Sequence, residues 1–462
     1  MSNAISAEKS KLPDIAAVAA HLRDAQLAWQ GRGLDGRREA LMAFADALAD
    51  PATGMIDALY ADTGRRRISV MEVEATAKSI ARWCRLSPAI LDSALGAGAS
   101  KTIPSVRFET RLHPYPLVGA IGPWNFPLLL ALIDAIPAWL AGSAVLIKPS
   151  EVTTSMVSPL RRALAQVPAL DAVSSVAEGG AEMGSAVLSA VDAVCFTGSV
   201  ATGRKIAVAA AERMIPAFLE LGGKDPAIVL GDAELDRAVT AIVRGGLSNA
   251  GQACQSIERV YVDRRIFSAF VEKLAAAVRF LRLTRDDPGG AIGPIIAPAQ
   301  VSVIGEQLRE AVARGARIVV GGEIDPPWIA PTVVCDVDHD MRLMREETFG
   351  PVLPVMSFET VEQALALAND SAYGLSGAVF SVDLSTAQAV AERLRVGAVS
   401  INDASLTALI NEAEKNSFGL SGLGASRMGP SGLLRFFRKQ VHFSNDGQPI
   451  PIGAFQEMSE AV

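Results

Sequence analysis

The 462-residue sequence predicts an α/β protein of more than one domain, built on parallel sheets. Its length exceeds what one hydrophobic core organises, so two or three domains are expected. From Val118 onward, short apolar strands alternate with helical stretches, the pattern of a parallel sheet covered on both faces. Half of the residues are hydrophobic and a fifth charged, which suits an enzyme-like globule with a large interior.

Residues 14–100 read as helices. Ile15 to Trp29, Arg37 to Leu48 and Val70 to Leu91 carry apolar residues at three- and four-residue spacing. Asp50-Pro51 and Ser87-Pro88 are read as breaks between them. Ser105 to Leu112 alternates and reads as an edge strand. Strands are then expected at Val118–Ile121, Ala144–Ile147, Ser174–Ala177, Ala193–Phe196, Ala217–Leu219 and Ala227–Val229. After Cys254 a second series opens with strand Arg259–Val262 and helices Arg265–Arg279 and Pro298–Arg314. Strand Arg317–Val320, helix Val361–Ala368 and strand Gly377–Phe380 continue it, and a short strand surrounds Val441 to Phe443. Asp286-Asp287-Pro288-Gly289-Gly290 is a loop. With no repeat and no Gly/Ser linker, the domains should pack tightly around a shared crevice.

Leu117 to Ile147 is apolar and long enough to span a bilayer. Pro123, Pro127, Pro137, Asn125, Asp134 and three glycines interrupt it, so strand, loop and buried helix are expected instead. The net charge is −7, from 43 basic and 50 acidic residues, without the basic stripe that nucleic acid requires. Cys84, Cys195, Cys254 and Cys335 lie far apart, and the four histidines form no ligand cluster with them; no metal is expected. Such spacing favours reduced thiols and a cytoplasmic location. The first fourteen residues lack an apolar leader segment, and Met1-Ser2-Asn3-Ala4 looks like a cloning remnant.

Two residues carry the chemistry. Cys254 ends Asn249-Ala250-Gly251-Gln252-Ala253-Cys254, and Glu220 sits in Leu219-Glu220-Leu221-Gly222-Gly223-Lys224. Small neighbours let backbone and substrate approach each. A thiolate nucleophile and a carboxylate base suffice to form an acyl-enzyme and hydrolyse it. A buried inert thiol is the ordinary alternative for a cysteine; it is preferred for Cys84, Cys195 and Cys335. The strand before Thr197-Gly198-Ser199 leads into a helix, a geometry that receives phosphate at a helix N-terminus. Glycines stand only at 198 and 203, so the usual G-x-G-x-x-G fingerprint is absent.

Those two segments, with Pro123-Trp124-Asn125-Phe126-Pro127, Phe196 to Gly203 and Glu346-Glu347-Thr348-Phe349-Gly350-Pro351, resemble in order the NAD(P)-dependent aldehyde dehydrogenase superfamily. The likeness runs from about residue 15 to about residue 445. It implies two parallel-sheet, Rossmann-type α/β domains plus a small β oligomerisation element. Residues 1–105 and 119–222 would form the NAD-binding domain and 223–425 the catalytic domain. Residues 106–118 and 434–447 would form the oligomerisation element, giving a homodimer, with a tetramer the alternative. It implies Cys254 as nucleophile, Glu220 as general base, and Asn125 with the Cys254 N–H as oxyanion donors. It further implies NAD, or NADP, on Trp124, Gly198, Ser199, Gly203 and Leu221, with Glu347 and Phe349 about the nicotinamide ribose and ring. Lys148 and Glu151 match the pair that holds the adenine ribose, where a carboxylate favours NAD; a solvated loop is the plain alternative. Lys224 matches a position close to the site.

Leu129, Leu130, Ile133 and Phe418 match the substrate tunnel, and their apolar character suits an uncharged aliphatic or aromatic aldehyde. A packed core is the competing account of these four. The chain departs from the family in Asn416 to Gly429: Ser417 replaces a proline, Leu420-Ser421 replace small residues, and Arg427 and the charged Glu412-Ala413-Glu414-Lys415 are unusual. Two rival readings make different demands on these residues. A CoA-acylating relative would need no water-activating Glu220, and an idle structural relative would not retain Cys254, Asn125 and Glu220 together.

Overall fold

The computed structural model describes residues 14–455 and residue 457; Met1 to Ala4 fall outside them. Asp14 opens the first helix, Ile15–Gly31, by accepting the N–H groups of Ala16 and Ala17. Helices Gly33–Ala49, Met55–Thr63 and Arg66–Ala94 follow. The last of these corrects the expected break at Ser87-Pro88, because Pro88 lies inside a 29-residue helix. An interior proline costs about 3 kcal/mol. The buried face of Trp83, Cys84, Ser87 and Ile90 offsets that cost by packing on both sides of the proline.

A six-stranded sheet forms the first core. Its order is Gly422–Leu423, Ala217–Glu220, Ala193–Thr197, Leu117–Ile121, Ala144–Lys148 and Ser174–Val176. All neighbours are parallel except the first pair. Strands 117–121, 144–148 and 193–197 are buried along their whole length, which explains their unbroken apolar runs. Two domain limits are corrected here. Leu117 and Val118 belong to this sheet and not to the small β element. Gly422–Leu423 also joins it, reaching back from the far end of the chain to pair with Glu220 and Leu219. The expected membrane-length stretch resolves into strand, two short helices and strand, all largely buried. Among the described residues no helix is long and apolar enough to cross a membrane.

The second core surrounds a seven-stranded sheet in the order Arg317–Val320, Thr332–Cys335, Val352–Phe358, Ile257–Asp263, Asp225–Val229, Gly377–Phe380 and Val399–Ile401. Only the Arg317–Val320 edge runs antiparallel. Strands 352–358 and 399–401 escaped the sequence reading: Pro351 and Pro354 disguise the first, and the second has only three residues.

A three-stranded antiparallel sheet stands apart, Ala97–Ala99 with Val106–Pro114 and Phe437–Asn445. The edge reading of residues 105–112 is therefore corrected. That strand is the centre, paired along nine positions with the C-terminal strand. The open edge belongs to Phe437–Asn445, where Phe443 is 73% exposed. Alternation along residues 105–112 gave the strand but not its long-range partner.

Candidate active site

Strand order in the first sheet reverses between Leu117–Ile121 and Ala193–Thr197, which lie side by side although a crossover separates them in sequence. The crevice beyond the carboxyl ends of such a pair is where open α/β sheets bind ligands. The loop after the first strand carries Trp124 and Asn125; the loop after the second carries Gly198 and Ser199. A cavity of about 210 Å³ opens there. Cys254, Glu220, Asn125 and Leu130 all face it. So do Trp124, Gly198, Ser199, Leu221, Glu347 and Phe349.

Cys254 reaches the cavity on a strained turn. Asn249, Ala250 and Gly251 are successively left-handed, at φ of 57°, 55° and 72°. The two non-glycine residues cost on the order of 1 kcal/mol each in that region. Glycine is required at 251, since a Cβ there would lie 2.1 Å from the Gly350 carbonyl oxygen. Gln252 ties the turn down. Its Nε2 donates to the carbonyls of Asn249 (2.9 Å) and Pro294 (3.1 Å), and its Oε1 accepts the Ile296 N–H at 2.8 Å. Asn125 Nδ2 donates one hydrogen to the Gln252 carbonyl at 3.0 Å, so this amide is fixed two residues from the sulfur. Its second N–H is the one an oxyanion could use.

Burial, then the nearby Glu220 carboxylate, push the Cys254 thiol up to about 12; Lys415 and Arg427 oppose them. Both cations come from the C-terminal segment that departs from the family pattern. Arg427 Nη2 donates to Thr197 Oγ1 at 2.7 Å and to Asp134 Oδ2 at 2.9 Å, while Arg435 holds the other Asp134 oxygen. Thr197 is the register partner of Glu220 on the neighbouring strand. Glu220 also borders a second cavity of about 170 Å³, lined by Lys415, Ser417, Ser426 and Arg435. Among the described residues Lys415 Nζ is buried without a hydrogen-bond partner.

On the dinucleotide side, Ser199 caps the 13-residue helix Val200–Glu212, its Oγ accepting the Thr202 N–H. A Cβ at Gly198 would press into the Phe196 ring at 2.5 Å, and Gly203 packs directly on Leu221. Lys148 Nζ bonds Glu151 Oε2 at 2.8 Å. Burial is the largest influence and works to raise the Glu151 carboxyl, but the Lys148 hydrogen bond, a backbone hydrogen bond and the Lys148 charge together outweigh it and hold the group below the ordinary carboxylate range. Lys148 ends the strand adjoining Leu117–Ile121, Glu151 lies in the turn after it, and neither is part of the cavity lining. Glu347 accepts the Gly223 N–H at 3.1 Å; burial and the neighbouring Glu258 raise its carboxyl to about 8. Trp124 and Phe349 meet edge to face, centroids 5.3 Å apart.

Lys224 has a visible job. It pairs with buried Glu258 at 2.7 Å and bonds Thr348 Oγ1 at 2.9 Å. Glu258 in turn accepts the N–H groups of Thr348 and Phe349, each at 2.8 Å. The pair thus fixes the segment that presents Glu347 and Phe349.

Of the four tunnel candidates Leu130 lines this cavity, whereas Leu129 and Ile133 are half-buried and are not part of its lining. Phe418 pairs with Gly374 in a two-residue strand, is 46% exposed and is not part of the lining either. Sequence reasoning also missed Gln252, Thr197, Gln300 and Val303. The first two stood inside quoted motifs as polar residues among small or apolar ones, which was a usable signal. The last two face the cavity from helix Pro298–Ala313, whose periodicity shows an apolar face but not what that face meets.

A model of the aldehyde dehydrogenase family matches residues 3–441. "Putative succinate-semialdehyde dehydrogenase [NADP(+)] 2" of Mycobacterium ulcerans is 34% identical over 440 residues, 93% of this chain and 84% of that protein. The solved structure of "Putative Aldehyde Dehydrogenase PutA" from Anabaena variabilis superposes at a TM-score of 0.93, with 47% identity and coverage of 96% and 95% of the two chains. Betaine aldehyde dehydrogenase from Staphylococcus aureus, solved with NAD+, gives a TM-score of 0.86 and 30% identity over 96% of this chain and 90% of that one. The chain belongs to the aldehyde dehydrogenase family.

Proposed function

We propose that the protein oxidises an aldehyde to the carboxylic acid with NAD through a covalent Cys254 intermediate. The supporting observation is the meeting of Cys254, Glu220 and Asn125, from three separate segments, on one cavity. Cys254 Sγ adds to the carbonyl carbon, and the second Asn125 N–H and the Cys254 N–H receive the oxyanion. A nicotinamide dinucleotide bound on Gly198, Ser199 and the following helix supplies the hydride acceptor. The close-approach glycine and capped helix N-terminus fit a pyrophosphate there. Glu220 then takes a proton from water, which releases the acid from the thioester. Steady-state oxidation of benzaldehyde with NAD, independent of added CoA, is the expected assay result. A strict requirement for CoA would transfer the protein to the acylating class.

Leu130 and Val303 give the cavity an apolar wall, so an uncharged aliphatic or aromatic aldehyde is the proposed substrate class. An acidic aldehyde is the second reading. The unpartnered Lys415 ammonium favours it, as does the succinate semialdehyde in the name of the mycobacterial relative. A screen of aliphatic, aromatic and acidic aldehydes separates the two by kcat/KM. Three buried thiols and one half-buried thiol, all free, suit a reducing cytoplasm.

For the cofactor, Glu151 should favour NAD, because its carboxylate repels a 2′-phosphate. Its salt bridge to Lys148 and 57% side-chain exposure moderate that preference. Glu151→Gln is expected to raise kcat/KM with NADP several-fold and leave NAD nearly unchanged. Equal efficiencies in the unaltered protein would show that Glu151 swings clear.

For assembly, the open edge of Phe437–Asn445 with exposed Val441 and Phe443 suits pairing with a second copy across a two-fold axis. A native mass of two 48.4 kDa chains is expected, and Phe443→Glu should weaken the pairing. An active single subunit would overturn this.

A further inference from the structure

Two opposite charges are buried under the loop that carries Asn125, and they do not neutralise each other directly. Arg65 precedes helix Arg66–Ala94 and Glu72 lies two turns along it; they are 4% and 1% exposed. Arg65 Nη2 donates to the Asn125 carbonyl at 2.9 Å, while its Nε and Nη1 have no partner among the described residues. Its guanidinium also lies over the Phe126 ring, 5.6 Å from the centroid. Glu72 Oε2 accepts the N–H groups of Leu128 and Leu129, both at 3.2 Å, and its Oε1 has no partner. One residue therefore grips the carbonyl before Phe126, and the other grips the first turn of the helix after it.

Burying a charge without a hydrogen-bonded counterion is costly, and apolar residues fill such space with more stability. A purely structural pair would close on itself. These two instead direct every bond they make at residues 125 to 129, and the side chain they hold in place ends 3.0 Å from the Gln252 carbonyl beside Cys254.

We propose that Arg65 and Glu72 are positioning residues that set the Asn125 amide where the carbonyl oxygen of the substrate becomes an oxyanion. The inference rests on the reading of Asn125 as an oxyanion donor. It also accounts for the charge state. Burial pushes the Glu72 carboxyl up to about 7, partly opposed by Arg65 and the two backbone N–H groups. Its folded pKa is thus above the ordinary value of 4.5. The stability tied to this group is complete below 4.5 and is lost as pH rises through about 7, so at pH 8 the carboxylate burdens the fold.

That sign separates positioning from structure. At pH 8 Glu72→Gln, which keeps an acceptor oxygen but loses the charge-assisted grip on the two N–H groups, should melt no lower than the parent protein while kcat falls several-fold. Arg65→Met should lower kcat by about 10- to 100-fold, with kcat/KM falling in parallel and dinucleotide affinity unchanged, as for a transition-state contact. Arg65→Lys, which retains one donor, should recover part of the loss. On an Asn125→Ala background neither change should cost much more, because the group being positioned is gone. If Arg65→Met does not fold, Glu72→Gln carries the same comparison. Losses that add in full to Asn125→Ala, or a drop in melting temperature that tracks the drop in kcat, would overturn the proposal. An Asn125→Ala protein of undiminished kcat would remove the donor reading and this inference with it.

Discussion

Cys254→Ala is expected to reduce aldehyde oxidation to background while dinucleotide binding, read by fluorescence titration, stays intact. Cys254 is the one cysteine that is half-buried rather than fully buried, and the only one on the cavity wall. Burial raises the other three thiols: Cys84 and Cys335 to about 11, and Cys195, enclosed in a strand, further still. None of these three lines the cavity, so none can take the place of Cys254. The fold should survive, since the change removes only the sulfur and the turn is held by Gln252 rather than by it. The free thiol, pushed up to about 12, is mostly protonated at neutral pH. Alkylation by iodoacetamide should therefore accelerate about tenfold per pH unit from 7 to 9, the growth of the thiolate fraction below its pKa. Retained turnover in the Ala variant, or inactivation that maps to Cys195, would sink the nucleophile assignment.

Much of this site was legible because its chemistry sits in contiguous motifs. Cys254, Glu220, Asn125, Gly198 and Ser199 each stand in a short segment whose small residues mark close approach. The strand–turn–helix around Ser199 could be placed from local pattern alone. What escaped the sequence is what depends on distant pairing. Gly422–Leu423 completes the first sheet beside Glu220, and Phe437–Asn445 turns an apparent edge strand into a central one. Phe418 shows the same limit from the other side. Its motif matched a tunnel position, yet it pairs with Gly374 in a two-residue strand and is not part of the cavity lining. Pro88 misled for a different reason: local propensity marks a helix end, and core packing on both sides overrides it.

Arg427 and Lys415 show how an unfamiliar residue acquires meaning only in three dimensions. In sequence they were departures from a loop pattern. In the fold they are the cations whose charges oppose burial at Cys254, one held on Asp134 and Thr197, the other unpartnered. A nucleophilic thiol is activated by a neighbouring base or by a positive field, and no histidine lines this cavity. The two cations from the segment that differs only partly oppose the burial and the Glu220 charge that raise the thiol.

Glu220→Gln should separate the two halves of the reaction. Thiohemiacetal formation and oxidation need the sulfur and the oxyanion donors, whereas hydrolysis of the thioester needs a base for water. The carboxylate ends strand Ala217–Glu220, faces Cys254 across the cavity and opens behind onto the second, polar cavity. The substitution conserves shape and removes only proton acceptance, which is worth a factor on the order of 10²–10⁴ when positioned. Turnover should fall by that factor, while rapid mixing shows a burst of reduced dinucleotide near one equivalent per site. Intact-protein mass should then reveal the acyl group resting on Cys254. Hydroxylamine, which attacks a thioester without a general base, should restore release of the acyl group and with it multiple turnovers. Removal of the Glu220 charge also takes away the second-largest influence raising the Cys254 thiol, so acylation should be no slower than in the parent protein. Unchanged steady-state turnover would assign the water to another base. Loss of the burst itself would move Glu220 from deacylation to the activation of Cys254.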